Sequence, residues 1–310
     1  MSEAPTAHLV DGSLYVCRAY FAPMPDIAGA DGASVVAVHG FTRFLLDLLE
    51  RAKPTHIAVA FDESLTTSFR NAIYPDYKAH REPAPPELMR QFGLCKDVAA
   101  ALGVRVLADL QYEADDLIGS ALIALRMAGF RGVIVSADKD FGQLIGDHDE
   151  QWDPQRNQRW DAHGVKTRLG VRPDQVADYL ALTGDSVDNI PGVPGIGPKT
   201  AAILLHHYGT LDALLERAEE VAFLRTRGAA AASMKLREHA GSARLSKLLS
   251  AIALDAPVPL EPGDYARGAI DAAAIDRLFE ALKLGPLTRA RVRALAGGEA
   301  PASSAPVSAA

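Results

Sequence analysis

YEADD, Tyr112 to Asp116, runs directly into the apolar stretch LIGSALIALRMAG. Apolar residues at helical spacing behind an acidic start read as the first turn of an amphipathic helix. Glu113 and Asp116 stand three apart and share one helical face, with Asp115 beside them. The helix macrodipole is reason enough for one or two acids at a helix N-terminus. Three carboxylates so close together repel one another, and a divalent cation is the counter-charge that suits them.

Outward from this stretch the chain alternates strands and helices. HLVDG reads as a buried strand ending at Asp11, and THIAVAFD as another ending at Asp62. GVRVLA precedes the acidic helix, and GVIVSADKD follows it, ending at Asp138 with Asp140 just beyond. Between them lie helices in SLYVCRAYFA, SVVAVHGFTRFLLDLLERA and around Leu88 to Leu102. This alternation specifies an α/β fold, a central parallel sheet flanked by helices. Sites in such sheets form outside the carboxyl ends of the strands. One acid ending a strand is an ordinary turn residue. Three such strands, with an acidic helix starting on the same rim, point to a site. From about Trp160 the pattern changes to short helices: VRPDQVADYLALTG, KTAAILLHHYG and LDALLERAEEV. The reading is therefore a loose leader over 1–7, an α/β region over 8–160, a helical region over 161–295 and a disordered tail over 296–310.

The 310 residues are enough for one large domain or two intimate ones. Apolar content of 48% and charged content of 23% are those of an ordinary globular protein. No apolar run reaches membrane-spanning length, and the N-terminus lacks a signal pattern, so no membrane partner is expected. Cys17 and Cys95 lie on apolar helical faces without metal-ligand spacing and read as reduced core residues of a cytoplasmic protein. A net charge of −7 argues against a polyanionic partner only if no bound metal neutralises the acids.

Two further stretches carry chemistry. In GDSVDNIPGVPGIGPKTA, Asp185 and Asp188 are again three apart, and a glycine-proline turn leads into a helix near Pro198. Pro198 separates Gly197 from Lys199, and no buried strand precedes them, so a nucleotide-binding P-loop is rejected. A helix-hairpin-helix turn near 189–200, offering backbone amides and Lys199 to a nucleic-acid phosphate, fits better. The plainer alternative is a glycine turn for close helix packing. SFRNAIYPDYKAHREP mixes Arg70, Lys78 and Arg81 with Tyr74 and Tyr77. It reads either as a surface that grips phosphates and stacks on unpaired bases or as a solvated loop.

The order VDG, FD, SFR with YPDYK and HR, YEADD, ADKD, GDSVDN and GIGPKTA resembles the bacterial 5′-nuclease family. That family comprises the 5′→3′ exonuclease domain of DNA polymerase I and stand-alone flap endonucleases. The similarity runs from about His8 to Leu295. With no polymerase segment after Leu295, the chain looks like the free-standing form. The resemblance implies a PIN-like sheet, a helix-3-turn-helix region, and a two-metal phosphodiesterase acting on DNA flaps, nicks and 5′ ends in replication and repair. It places Asp11, Asp62, Glu113 and Asp115 at one Mg²⁺ or Mn²⁺ position. Asp116, Asp138, Asp140, Asp185 and Asp188 fall around the second, with Asp115 between. Lys78 matches a lysine near the scissile phosphate, Tyr77 and Arg81 its neighbours, and Arg18 a helix arginine near the active centre. Arg70, Tyr74, Gly192, Gly195, Gly197, Lys199 and Thr200 would face DNA. Val193 and Ile196 would lend backbone carbonyls to a potassium ion. An arch lies near 70–93, with Pro83 to Phe92 its short, proline-rich part. An exonuclease IX-like branch has lost second-site acids that this sequence keeps. A monomer is expected. The rival is a catalytically silent DNA-structure-binding protein of the same fold, which missing acids would mark.

Overall fold

The computed structural model describes residues 4–23, 25–63 and 66–297. Six strands form one sheet: β1 (Thr6–Asp11), β2 (His56–Asp62), β3 (Arg105–Asp109), β4 (Arg131–Val135), β5 (Glu150–Asp153) and β6 (Gln158–Trp160). Their order is β3-β2-β1-β4-β5-β6, with all neighbours parallel except the antiparallel β5–β6 pair. The order reverses between β1 and β4, so the crevice at a topological switch point opens at Asp11. The four strands expected from the sequence are all present. The β5–β6 hairpin was not expected, and Thr6 and Ala7 belong to β1 rather than to a leader. The tail expected over 296–310 lies outside the described residues from 298 onward.

The helices are α1 (Gly12–Tyr20), α2 (Val36–Ala52), α3 (Phe69–Ile73), α4 (Pro86–Ala101), α5 (Ala114–Met127), α6 (Ala162–Leu169) and α7 (Val176–Thr183). After them come α8 (Pro198–Tyr208), α9 (Leu211–Glu216), α10 (Ala229–Glu238), α11 (Ala240–Ser250), α12 (Ala272–Leu282) and α13 (Pro286–Gly297). Strand alternation divides the core. Ile57, Val59 and Phe61 of β2 face α1, α2 and α4, whereas Ala58 and Ala60 face α5. Behind α5 the same apolar cluster continues into α7, α8 and α11, joining the sheet to the helical region without a break. No helix among the described residues is long and apolar enough to cross a membrane.

Two expectations change here. The helical region does not run to residue 295 as one body. Ile275, Phe279, Leu282 and Val292 of α12 and α13 pack in the cluster of α2 and α4, on the α/β half. The chain returns there through Gly103, whose φ of +75° and close approach to Gly268 O leave no room for a side chain. The proline-rich arch is the second change. Pro86 is the first residue of α4, and Leu88, Gln91 and Phe92 are buried. Proline at the first helical position ends an extended approach and starts a helix, so the second half of the segment is helical and buries three side chains, while Pro83, Pro85, Pro86, Glu87 and Met89 stay exposed. Gln91 Oε1 accepts from Ala37 N at 2.8 Å, capping α2, which has no side-chain cap of its own. Gln91→Ala should lower the unfolding free energy by about 1–3 kcal/mol, the cost of orphaning a buried amide. Urea denaturation checks this, and an unchanged midpoint would put the segment outside the core.

Candidate metal and nucleic-acid site

Residues from six parts of the chain line one cleft of about 410 Å³. Eight are carboxylates: Asp11, Asp62, Glu113, Asp115, Asp138, Asp140, Asp185 and Asp188. Three are cations: Lys78, Arg81 and Lys139. Strand geometry supplies the first acids. Asp11 ends β1 and caps α1 by accepting from Leu14 N at 3.0 Å, and Ser136 Oγ donates to its other oxygen at 2.9 Å. Asp62 ends β2, with its amide held by Ser13 Oγ and its Oδ1 accepting from Ala114 N at 2.8 Å. That bond seats the N-terminus of α5 on the strand end. Asp138 follows β4 and caps the 3-10 turn Lys139–Leu144.

The crowding is visible in the protonation equilibria. Burial, with Asp62 adding to it, pushes Asp11 up to about 7. Burial and Asp138 push Asp140 to about 7, and its buried Oδ1 accepts no hydrogen bond. Burial and Asp116 raise Asp115 well above the carboxylate range. Burial would raise Glu113 too, but Lys78 and Arg70 hold it below its usual value. The donor set is all hard oxygen, negative in excess and in part unsatisfied, which fits Mg²⁺ or Mn²⁺.

YEADD itself divides. Asp115 lines the cleft, but Asp116 is fully buried and turned away from it. Asp116 Oδ1 accepts from Arg70 Nη2 and Ala253 N, and Oδ2 from Arg70 Nη1 and Glu113 N, at 2.7–3.1 Å. Although Glu113, Asp115 and Asp116 each offer an oxygen within 4.8 Å of the others, the Asp116 carboxylate is saturated and unavailable to a metal. Arg70 is likewise not on a DNA-facing surface. It is 1% exposed, and its remaining donors reach Glu113 Oε2, Leu249 O and Ala251 O.

Lys78 lines the cleft, with a left-handed φ of +55° held by its amide's bond to Asp188 O. Its Nζ lies 2.5 Å from Glu113 Oε1 and 3.9 Å from Asp188 Oδ2. Arg81 pairs with Asp188. Tyr77 is buried and donates to Glu113 Oε2 at 2.8 Å, so it positions that acid without lining the cleft. Tyr74 packs half-buried against Tyr77, Ile190 and Leu249 rather than standing free for a base. Arg18 also leaves the cleft: its Nη1 donates to Gln155 Oε1 at 3.0 Å and pairs with Asp153, on the unexpected β5–β6 hairpin. Cys17 lines the cleft and also packs, partly buried, against the core of α2 and α4, whereas Cys95 is buried.

The glycine-rich turn is built as a hairpin between α7 and α8. Gly192 is inside it: φ is +63°, Ser246 Oγ accepts from its amide and Ser242 Oγ donates to its carbonyl. Gly195 and Gly197 are exposed, as is Lys199, and Thr200 is half-buried at the start of α8. Val193 and Ile196 bury their side chains; the Val193 carbonyl takes one hydrogen bond, from Ile196 N, and keeps a lone pair. Lys235, which sequence reasoning passed over, reaches across from α10 so that a Cβ on Gly195 would run into its Nζ. Lys139, Ser13 and Ser136 were also passed over. Lys139 stands between two quoted motif acids, Ser13 follows VDG directly, and Ser136 is the strand-end serine of VSADKD.

The chain matches the 5′–3′ exonuclease N-terminal resolvase-like domain over residues 6–170 and the 5′–3′ exonuclease C-terminal SAM fold over 171–273. DNA polymerase I of Rhizobium leguminosarum is 39% identical over 268 residues, 84% of this chain and 26% of that one. The chain thus spans about a quarter of that relative's length. The 5′–3′ exonuclease of Aquifex aeolicus is 36% identical over 215 residues, 69% of this chain and 74% of that one. Bacteriophage T5 flap endonuclease, in a pseudo-enzyme-product complex with DNA and metal ions, shares the fold at a TM-score of 0.63 and 16% identity, covering 94% of this chain and 97% of that one. The catalytic core of Rad2 in complex with DNA substrate does so at 0.64 and 15%, covering 94% and 92%. Sheet and helical region, each matched to a 5′–3′ exonuclease domain, define the exonuclease class. Within it, the chain belongs to the 5′–3′ exonuclease family.

Asp116→Asn should destabilise the protein by about 3 kcal/mol, because it leaves the buried Arg70 guanidinium underpaired. Arg70→Met combined with Asp116→Leu should recover part of that loss in urea denaturation. A variant as stable as wild type would return Asp116 to the cleft.

Proposed function

We propose that this chain is a structure-specific 5′→3′ exonuclease and flap endonuclease that hydrolyses DNA phosphodiesters with two Mg²⁺ ions, or Mn²⁺ in their place. What carries the reading is the excess of eight carboxylates over three cations in one cleft at the strand ends. Asp11, Asp62, Glu113 and Asp115 would hold one ion, and Asp138, Asp140, Asp185 and Asp188 the other, many of them through water. Bound there, the ions supply a water activated for attack and positive charge on the attacking and leaving oxygens. Lys78 holds an ammonium at the edge of the same acids, placed to meet a scissile phosphate once Glu113 turns to metal. Arg81 adds a second positive group on that side. Exposed Lys199 and half-buried Lys235 bracket the glycine-rich turn, which suits a duplex phosphate run beyond the cut. A potassium ion would share that phosphate through the Val193 and Ile196 carbonyls.

Activity on a labelled 5′-flap duplex should require Mg²⁺ or Mn²⁺ and stop with chelator, and Asp138→Asn should abolish it while flap binding persists. Binding without cleavage by the wild-type protein in Mg²⁺ would favour the silent DNA-structure-binding reading instead. On the Asp138→Asn background, Lys199→Ala and Lys235→Ala should each lower the slope of log affinity against log salt by about 0.9, one phosphate contact apiece. Equal slopes would turn the hairpin away from DNA.

A further inference from the structure

The two lysines of the cleft are not equivalent. Lys78 is held to Glu113 and Asp188, whereas Lys139 Nζ lies 2.6 Å from Asp185 Oδ2 and 3.4 Å from Asp140 Oδ1. Lys139 thus bridges two acids from different halves of the molecule, one on the 3-10 turn after β4 and one after α7. Asp185 is fixed: its backbone pairs in both directions with Ile190, and its Oδ1 accepts from Val187 N at 2.8 Å. Asp140 is fixed by its amide's bond to Asp138 Oδ1 at 3.0 Å. Apart from the Lys139 ammonium, the buried Asp140 Oδ1 has no partner among the described residues. The carboxylates are anchored through the backbone, and the lysine reaches them on a flexible stem, 39% exposed. At the other end of the cleft, no lysine or arginine pairs with Asp11, Asp62 or Asp115 among the described residues.

The geometry points to Lys139 as a placeholder for the second divalent cation: its ammonium joins Asp140 to Asp185 until an ion displaces it. The two metal positions therefore differ: at one, Lys78 and Arg70 hold Glu113 but no lysine or arginine pairs with Asp11, Asp62 or Asp115 among the described residues, and at the other Lys139 bridges two of the acids. This rests on the two-ion reading above. A dication at anchored carboxylates is favoured over a single ammonium charge, but it must repay the ion pair it breaks. Loading is then ordered, the Asp11–Asp62–Asp115 end first and the Asp140–Asp185 end second.

The test is Mn²⁺ binding to the full chain without DNA, followed by calorimetry and by the paramagnetic signal of free Mn²⁺, at one pH and ionic strength. Wild type should show two classes of site. Lys139→Met should tighten the weaker class by about fivefold, the scale of a half-exposed ion pair, and leave the tighter class unmoved. Lys139→Arg, which keeps the charge, should stay near wild type. The Mn²⁺-induced rise in Tm should also be larger for Lys139→Met, since tighter binding to the folded state stabilises it by mass action. Two classes in wild type with a weaker class that is unmoved or loosened in Lys139→Met would overturn the placeholder role alone. A single class in both proteins, with flap DNA still cleaved in Mn²⁺, would overturn the two-ion reading along with it.

Discussion

The guanidinium of Arg70 is the interaction on which both halves depend. Its five N–H groups end on Asp116, Glu113, Leu249 O and Ala251 O, so one buried side chain joins α3, the start of α5 and the end of α11. A planar, permanently charged fork can satisfy so many acceptors at once; a lysine could not. The Glu113 carboxylate that it steadies is the one Lys78 and Tyr77 also hold. The position of a cleft acid is therefore set from inside the protein. Burying such a cluster is costly unless every member is paired, and here both the carboxylate of Asp116 and the guanidinium are saturated.

Around that anchor the cleft is a charge imbalance held in place by backbone. Asp11, Asp62 and Asp138 are each fixed by bonds to amides or serines at strand ends, so they cannot separate to relieve repulsion. Burial of like charges that cannot relax is what draws cations into such a site, and it explains why Asp11 and Asp140 are pushed up together.

The sheet and the cleft rim were legible because the information is local. Apolar runs of strand length end in Asp11, Asp62 and Asp138, and the alternation with helices dictates which end they share. Direction is what the sequence withholds. Arg70 and Asp116 carry charge, but nothing in FRNAI, a five-residue helix, reveals which face is inward. EQWD and QRW are too short and polar to show alternation, so the hairpin that takes Arg18 was missed. The prolines of EPAPPELMRQF suggested a loop, although Leu88, Phe92, Cys95 and Ala99 form a helical stripe that marks the core. Lys139 was in plain view between two acids, but its partner Asp185 lies 46 residues away in the chain.

The return of α12 and α13 to the sheet makes the helical region an insertion rather than an appendage. Its entrance at α6 and its exit near Gly268 are both tied to the α/β half, the exit by Arg267 N to Thr55 O and Gly268 N to Gly103 O. A segment tethered at both ends has already lost most of its loop-closure entropy and cannot swing as a domain on a single linker does. Its freedom is confined to small tilts about the buried contacts behind α5. A cut in the backbone between α9 and α10 would therefore leave two fragments, each still anchored to the sheet.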